Sequence, residues 1–146
     1  MLNRIFMILA LALIVSCGGP TLLLPGGSLD GEVTPVPSDW AFVQEVSTVQ
    51  LESNPQDPYS VNIWIVGIDD VLYVHAGANR STWVEHMEVD PAVRVRIEDK
   101  LYELSATRVE DQAEFDVFAN AYEAKYGTRP RHDDITEVYL YRLSAR

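Results

Sequence analysis

The amino-acid sequence predicts an α+β domain, mainly β, in which a small antiparallel barrel or curled sheet carries two helices at its edge. Three observations carry this prediction: segments rich in β-branched residues, turn signals between them, and two helical patterns with caps. The six segments with strand character are residues 43–52, 60–68, 71–75, 93–97, 101–109 and 137–143. The length of 146 residues suits one domain.

The predicted strands differ in how they expose their faces. Residues 93–97 alternate apolar and arginine side chains, as expected for a strand with one buried face. Residues 60–68 are nearly all apolar, which is typical of a strand covered on both faces. Asp69-Asp70 then makes a short turn into residues 71–75, so we expect a hairpin here.

Both predicted helices have recognisable ends. Ser81 stands at the N-cap position of the first helix, and Asp90-Pro91 ends it. In the second helix, Asp111 and Glu114 resemble a capping box, and Gly127 is the expected C-terminal stop.

The N-terminus has the features of a targeting segment. The apolar run Ile5–Val15 follows Arg4 and is shorter than the roughly 20 apolar residues that span a bilayer. It fits the hydrophobic region of a secretory signal peptide, residues 1–16. Ile14-Val15-Ser16-Cys17 resembles a bacterial lipobox, so we expect lipidation at Cys17. The alternative is an ordinary signal peptide followed by an incidental cysteine.

The lipobox resemblance implies a location in the cell envelope. Acylation at Cys17 would hold the chain on a membrane, and Gly18 at the next position implies the periplasmic side of the outer membrane in a Gram-negative host. Residues 17–38 are dense in glycine and proline and are predicted to be a lipid-anchored linker, which leaves 39–146 as the domain. Leu22, Leu23 and Leu24 could lie against lipid or against the domain.

The charge excludes several classes of protein. With 22 acidic and 11 basic residues, the formal net charge is -11, whereas a nucleic-acid binder needs a clustered basic surface. The same charge argues against electrostatic binding to anionic lipid. A single cysteine excludes an internal disulfide and multi-cysteine metal sites.

Residues 59–109 are similar to the split β-barrel superfamily that binds FMN or deazaflavin, including pyridoxamine-phosphate-oxidase-like proteins and deazaflavin-dependent nitroreductases. The similarity is carried by the hairpin at 63–74 and by residues 83–97, where a short helix opens with Trp83, stops at Asp-Pro and leads into Val-x-Val. The resemblance implies a six-stranded antiparallel split β-barrel with two helices. It also implies a homodimer with the cofactor between subunits.

The resemblance further implies a cofactor site before the tryptophan helix. The loop there helps to hold the cofactor phosphate in that superfamily, and the matching positions are Asn79, Arg80 and Ser81, with Ala78 before them and Trp83 after them. A helix N-terminus offers N–H donors to an anion, and Arg80 could add a bidentate contact. The alternative is that Arg80 is a solvated loop residue.

Two functions remain open at this stage. One is a lipoprotein that binds a small molecule, or serves a structural role, without catalysis. The other is a flavin- or deazaflavin-dependent oxidoreductase in which the cofactor supplies the chemistry. No side chain is predicted to be catalytic, and His75, His86 and His132 lack the spacing of a helical metal site.

Two further groups of residues have alternative interpretations. Three arginines could form an anion-binding patch or pair with glutamates across strands. They are Arg94, Arg96 and Arg108, and the glutamates are Glu98, Glu103 and Glu110. Trp64 and Trp83 could belong to the core or a dimer interface, or they could flank a planar ligand.

Overall fold

The computed structural model describes residues 18–146, so the predicted signal peptide and Cys17 lie outside the described residues. The described chain has eight β-strands, two α-helices and 3₁₀ turns at Ala41–Glu45 and Ile135–Glu137. The strands are β1 Glu32–Val33, β2 Thr48–Ser53, β3 Tyr59–Trp64, β4 Val66–Ile68, β5 Val71–His75, β6 Ala92–Ile97, β7 Lys100–Arg108 and β8 Leu140–Ala145. The helices are α1 Thr82–Val89 and α2 Gln112–Tyr126. The predicted mainly β fold with two helices is confirmed.

The sheet closes on itself through one bent strand. Its order is β3-β2-β6-β7-β8-β5-β4, and every pairing along this path is antiparallel. The two outer strands, β3 and β4, are consecutive in the chain and separated only by Ile65. The strand formed by β3 and β4 therefore bends at Ile65. Because β3 pairs with β2 and β4 pairs with β5, this bent strand joins the two edges of the sheet. We call this junction the seam.

The count of eight strands exceeds the predicted six for two reasons. The predicted strand 60–68 is divided at the seam, and the short β1 is added. The expectation that 60–68 is covered on both faces was wrong for β3, because Ile63 points into the core whereas Trp64 is about half exposed.

The predicted strand 43–52 begins later than expected. Residues 41–45 form a 3₁₀ turn instead, and β2 starts at Thr48. Trp40 and Val43 are both fully buried. Because residues three apart share one side of a 3₁₀ turn, this conformation places both side chains in the core, which a strand could not do.

Two apolar cores stabilise the domain. The barrel interior contains Leu51, Val95 and Leu104, and α1 contributes Trp83 to it. A second core lies where α2 packs on the outer side of the sheet; its members include Tyr73, Phe115, Phe118 and Leu140. The ends of α2 lie where predicted: the Glu114 N–H donates to the Asp111 carboxylate at 2.9 Å, and Gly127 has φ 75°. The Glu114 carboxylate binds Tyr73 and Arg142 rather than the Asp111 N–H, so only half of the predicted capping box forms.

Residues 18–38 pack against the sheet, although their composition predicts a linker. β1 pairs in parallel with the start of β7, and Leu29 is buried. Gly31 permits this approach, because a Cβ there would lie 2.9 Å from the Asp99 carbonyl oxygen. No helix within residues 18–146 is long and apolar enough to span a membrane.

Candidate functional site

A cavity of about 410 Å³ opens beside the seam, between strands β2 to β5 and helix α2. Its lining combines aromatic, aliphatic and a few polar side chains. The lining residues are Leu22, Thr48, Asn62, Ile63, Trp64, Val66, Tyr73, His75, Phe118 and Tyr122. We call this space the seam cavity. A concave, mainly apolar surface with a few polar groups is typical of small-molecule sites.

Aromatic rings form one wall of the seam cavity. Trp64 stacks on Tyr126 with ring centroids 4.5 Å apart and an angle of 12° between planes. Tyr122 lies 5.9 Å from Trp64 and 5.5 Å from Phe118. Since Trp64 is supported from behind by Tyr126, its ring presents a fixed flat surface of the kind that packs on a planar ligand.

His75 lies in the lining of the seam cavity as an uncharged imidazole. Its ring packs on Phe118 at 5.5 Å and on Tyr122 at 6.2 Å. Burial, and secondarily the charge of His132, lowers the pKa of His75 to about 4. Its Nε2 is buried and has no hydrogen-bond partner among the described residues. A buried polar atom without a partner is a deficit that a ligand or a water molecule can remove.

Tyr73 contributes its ring to the seam cavity, but its hydroxyl is already engaged. The hydroxyl donates to Glu114 at 3.0 Å, and Arg142 binds the same carboxylate at 2.9 Å. Burial, together with the hydrogen bond to Glu114, raises the pKa of Tyr73 to about 12. Tyr73 is therefore a poor proton donor to a ligand. The Glu114 carboxylate, predicted to complete the capping box, connects Tyr73 with Arg142.

The C-terminal end of α2 holds the seam in place. The Lys125 ammonium donates to the carbonyl oxygens of Val43, Val46 and Ile65 at 2.8, 2.7 and 2.6 Å, which uses all three of its protons. The Tyr126 hydroxyl accepts the Ile65 N–H at 2.9 Å. Burial lowers the pKa of Lys125 to about 8. Because Ile65 lies outside both strand ladders, these two side chains satisfy its backbone groups.

The loop at residues 76–81 connects the seam cavity to α1. It starts directly after His75, and its base is fixed to the segment before β8: the Ala76 N–H donates to the Tyr139 carbonyl, and the Tyr139 N–H donates to the Gly77 carbonyl. Ser81 is the N-cap of α1 by position, yet its hydroxyl is buried and makes no cap hydrogen bond. The sequence predicted correctly that Ser81 is the N-cap residue, but it did not predict that the hydroxyl would lack a partner.

Arg80 and Trp83, two of the predicted cofactor residues, are engaged in different parts of the domain. Arg80 is half exposed and binds Glu85 and Glu88 on α1, each at 3.1 Å. The hydrogen bond to Glu88 raises the pKa of Arg80. Trp83 is buried in the barrel interior, 6.4 Å from the Tyr141 ring, so it does not face Trp64 across a common ligand space. Asn79 is exposed on the loop.

The three arginines predicted as a patch or as strand pairs have separate partners. Arg94 binds the buried Glu52 at 2.6 Å, although its neighbour across β7 is Glu103. Arg96 donates to the Glu98 carbonyl oxygen and to Gln50. Arg108 donates to the Val138 carbonyl oxygen, and its guanidinium lies 4.3 Å from the Tyr139 ring centroid. These arginines therefore stabilise the sheet and its edges rather than forming one patch.

The remaining histidines contact different side chains. His86 contacts the Ser53 hydroxyl at 3.0 Å, and His132 lies 3.4 Å from Glu137. Within residues 18–146 there is no group of three His, Cys, Asp or Glu side chains that could hold a metal ion.

The seam cavity, the place of His75 in its lining and the contacts of Lys125 and Tyr126 were not predicted from the sequence. A basic residue in the last turn of a helix is common, so Lys125 carries no distinctive signal. Trp64 was a candidate ring surface, and Tyr122 lies on the predicted second helix. The sequence did not predict that α2 crosses the seam beside Trp64.

Solved structures with a similar fold include proteins that are described as ligand-binding or as enzymes. A candidate 5-nitroimidazole antibiotic resistance protein from Bacteroides thetaiotaomicron is 13% identical, with a TM-score of 0.56, covering 69% of this chain and 74% of that one. A candidate pyridoxamine 5′-phosphate oxidase from Listeria innocua is 16% identical, with a TM-score of 0.55 and coverage of 70% and 86%. HutZ, the haem storage protein from Vibrio cholerae, is 19% identical, with a TM-score of 0.52 and coverage of 72% and 85%. Among curated proteins, none matches this sequence.

These similarities confirm the fold class predicted from the sequence, a mainly β split barrel with two helices. At such low identity they establish the fold alone. The family model for an uncharacterised protein conserved in bacteria, DUF2255, matches residues 41–139, which is more than half of the chain. The match begins after the N-terminal segment and includes the seam, the loop at 76–81 and α2. The chain therefore belongs to the DUF2255 family.

Proposed function

We propose that this protein binds a planar aromatic small molecule in the seam cavity, and that flavin or deazaflavin is the ligand class to test first. The observation that carries the proposal is the aromatic lining around a neutral, unpartnered His75, next to a loop at a helix N-terminus. A ring system would pack on Trp64 and Tyr122. A polar edge of that ring could bind His75, which is uncharged at neutral pH.

The phosphate of such a ligand would lie at the loop of residues 76–81. The first N–H groups of α1, at Thr82 and Trp83, have no acceptor within the helix. The buried Ser81 hydroxyl also has no hydrogen-bond partner within residues 18–146. Arg80 would have to exchange Glu85 and Glu88 for the phosphate, and ion pairs as exposed as these contribute little to stability. Asn79, Arg80 and Ser81 thus remain the proposed phosphate residues, while Trp83 supports them from the core.

Binding without catalysis is the first form of this proposal. The titratable side chains of the seam cavity are poorly suited to proton transfer near neutral pH: the Tyr73 hydroxyl is bound to Glu114, and the pKa of Tyr73 is raised to about 12. The second form is a flavin- or deazaflavin-dependent oxidoreductase, which the described activity of the Listeria innocua neighbour supports. In that case the bound flavin would supply the redox chemistry, and this chain would orient it and exclude water.

Ligand titration of the purified full chain tests the proposal. FMN, a deazaflavin and haem would be titrated while tryptophan emission is followed, haem being included because of the described role of HutZ. Trp64→Ala should weaken flavin binding about tenfold or more, since aromatic packing contributes roughly 0.5–1.5 kcal/mol beyond the buried area. Phe42→Ala is the matched control, because Phe42 is 44% exposed, as Trp64 is 48% exposed, but lies outside the seam cavity.

The outcomes separate the two forms. A yellow protein that releases flavin on denaturation, and then oxidises a reduced nicotinamide when reloaded, supports the oxidoreductase. Flavin binding without turnover supports the binding protein. A folded protein that neither carries nor binds flavin, deazaflavin or haem rejects both, and an equal loss of affinity in Trp64→Ala and Phe42→Ala rejects the seam cavity as the site.

Lipidation at Cys17 and a homodimer belong to the same proposal. Cys17→Ser should abolish lipoprotein processing and release the chain from the membrane fraction, which in a Gram-negative host is the outer membrane. A Cys17→Ser protein that is processed and membrane-bound like the parent would reject the anchor. Sedimentation of the purified chain with and without FMN measures the dimer, and a monomer under both conditions would reject it.

A further inference from the structure

Three consecutive leucines at the N-terminal side of the domain are exposed on a short turn. Leu22, Leu23 and Leu24 are 91%, 88% and 67% exposed. Removing apolar side chains from water is favourable, so three exposed leucines in a row leave a substantial apolar surface uncovered.

The turn that carries these leucines is attached firmly to the domain. The Thr21 N–H donates to the Leu24 carbonyl oxygen at 3.0 Å, and the Leu24 N–H donates to the Thr21 hydroxyl at 3.1 Å. Asn62 on β3 donates to the Thr21 carbonyl oxygen at 2.9 Å. Gly26 and Ser60 exchange two backbone hydrogen bonds directly after the turn. The leucines are therefore presented by the folded domain rather than by a free tail.

The position of the turn in the chain, close to Cys17, makes a membrane the surface that could cover the three leucines. Thr21 follows Cys17 by four residues, and an extended chain spans at most about 3.6 Å per residue. An acyl chain on Cys17 would thus bring the turn within about 15 Å of the membrane. No charged residue occurs between Arg4 and Asp30, although the chain as a whole carries a net charge of -11. The turn also precedes residue 41, where the family match begins.

Trp64 extends this apolar surface. It is 48% exposed, and both Trp64 and Leu22 line the seam cavity, which places them on one side of the domain. Tryptophan is enriched at the boundary between lipid and water, where its amphipathic ring is accommodated.

We propose that Leu22, Leu23, Leu24 and Trp64 form a membrane-docking surface that seats the domain on a lipid bilayer. The inference rests on the proposed acylation of Cys17. Acylation of Cys17 would hold the chain on the membrane without orienting the domain, whereas a second apolar contact with the bilayer would orient it. The docked domain has a fixed orientation, with the seam cavity beside the bilayer surface.

Quenching by brominated lipids tests the docking directly. The lipidated mature chain, residues 17–146, would be reconstituted in phosphatidylcholine vesicles with and without brominated acyl chains, and tryptophan emission would be compared. Trp40 is fully buried and Trp83 is 7% exposed, so Trp64 is the reporter among the described residues. We expect at least a twofold loss of the Trp64 emission in brominated vesicles, and no such loss in Trp64→Phe, which identifies the reporter.

Matched variants assign the effect to the leucines. The triple variant L22S/L23S/L24S should float with the vesicles through its acyl chain but lose the quenching. Val89→Ser is the control, because Val89 is 88% exposed on α1 and lies outside the docking surface. A parent that floats but is not quenched overturns the docking while leaving the anchor intact. A parent that does not float overturns both. A triple variant that is still quenched overturns the docking. A triple variant whose only change is the loss of a dimer observed in detergent also overturns the docking, and it assigns the leucines to contact with a second copy of the chain.

Discussion

Arg94 and Arg80 each bind a glutamate, but they lie in contrasting surroundings. Arg94 and Glu52 join strands β6 and β2, and the Glu52 side chain is only 5% exposed. Glu52 also accepts the Leu29 N–H at 2.6 Å, so this pair fastens the N-terminal segment to the sheet. Arg80 binds carboxylates five and eight residues away on α1, in contact with water.

This difference separates a structural arginine from one that can serve a ligand. If Arg94 left Glu52, the buried Glu52 carboxylate would lose its counter-charge, which is costly in a buried position. Arg80 can exchange its partners for a phosphate at little cost, because solvent screens both states. Sequence alone placed both arginines among possible anion ligands, and burial of the partner distinguishes them.

Breaking the buried pair should have the largest effect on stability. Glu52→Gln leaves the Arg94 guanidinium without its counter-charge, and we expect the free energy of unfolding to fall by about 3–4 kcal/mol. Glu123→Gln is the control, because its pair with Arg129 is exposed, and the loss there should stay below about 1 kcal/mol. Guanidinium denaturation midpoints of both variants measure the difference. Equal losses would show that burial does not distinguish the pairs.

The neutral imidazole of His75 predicts a pH-dependent stability. Its pKa is about 4 in the folded chain and about 6.5 when unfolded, so the unfolded state binds the extra proton first as the pH falls. The stability present above pH 6.5 is therefore lost between about pH 6.5 and 4, by about 2–3 kcal/mol.

His75→Phe serves as the comparison for this titration. Urea unfolding of the parent and of His75→Phe across the same pH range isolates the contribution of His75 from that of the carboxylates. The difference between the two proteins should change through the window. A difference that is independent of pH would mean that His75 is not held neutral.

The contacts at the seam should have the next effect. Lys125→Met removes three donors and leaves carbonyl groups without partners, so we expect about 2 kcal/mol of destabilisation and weaker ligand binding in the adjacent cavity. Lys100→Met, at an exposed lysine, should change neither property. Thermal unfolding and FMN titration of the two variants provide the measurement. If Lys125→Met were as stable as Lys100→Met, Lys125 would not stabilise the seam.

The exposed pair should have the smallest effect. Arg80→Ala should leave the free energy of unfolding essentially unchanged, as should Arg129→Ala, whose pair with Glu123 is similarly exposed. Differential scanning calorimetry of both variants checks this. A large loss in Arg80→Ala alone would make Arg80 a structural residue and withdraw it from the proposed site.

The sequence predicted the elements of this fold better than the way in which they close. Alternating side chains identified β6, and the Asp111 and Gly127 caps located α2, because these signals are local. The bend at Ile65 has no such signal: it lies within an apolar run, and it is satisfied by Lys125 and Tyr126 from about 60 residues further along the chain. The position of Arg80 beside α1 could be predicted, but its glutamate partners could not.

The candidate site shows the same limit. Trp64 was identified as an aromatic surface, but the seam cavity depends on the crossing of α2 and on Leu22 from a segment predicted to be a linker. Such contacts between distant parts of the chain follow from packing, and no short pattern encodes them.

The affinity ratio of FMN to riboflavin measures whether the loop at residues 76–81 binds a phosphate beside a ring held in the seam cavity, because the two ligands share the ring and differ in the phosphate. Both should bind the parent, with FMN tighter by about tenfold or more, as charge-assisted hydrogen bonds contribute roughly 1.5–3 kcal/mol. In Arg80→Ala the ratio should fall towards one while riboflavin affinity is unchanged. A correctly folded parent that binds neither ligand, or binds both equally, would contradict the account.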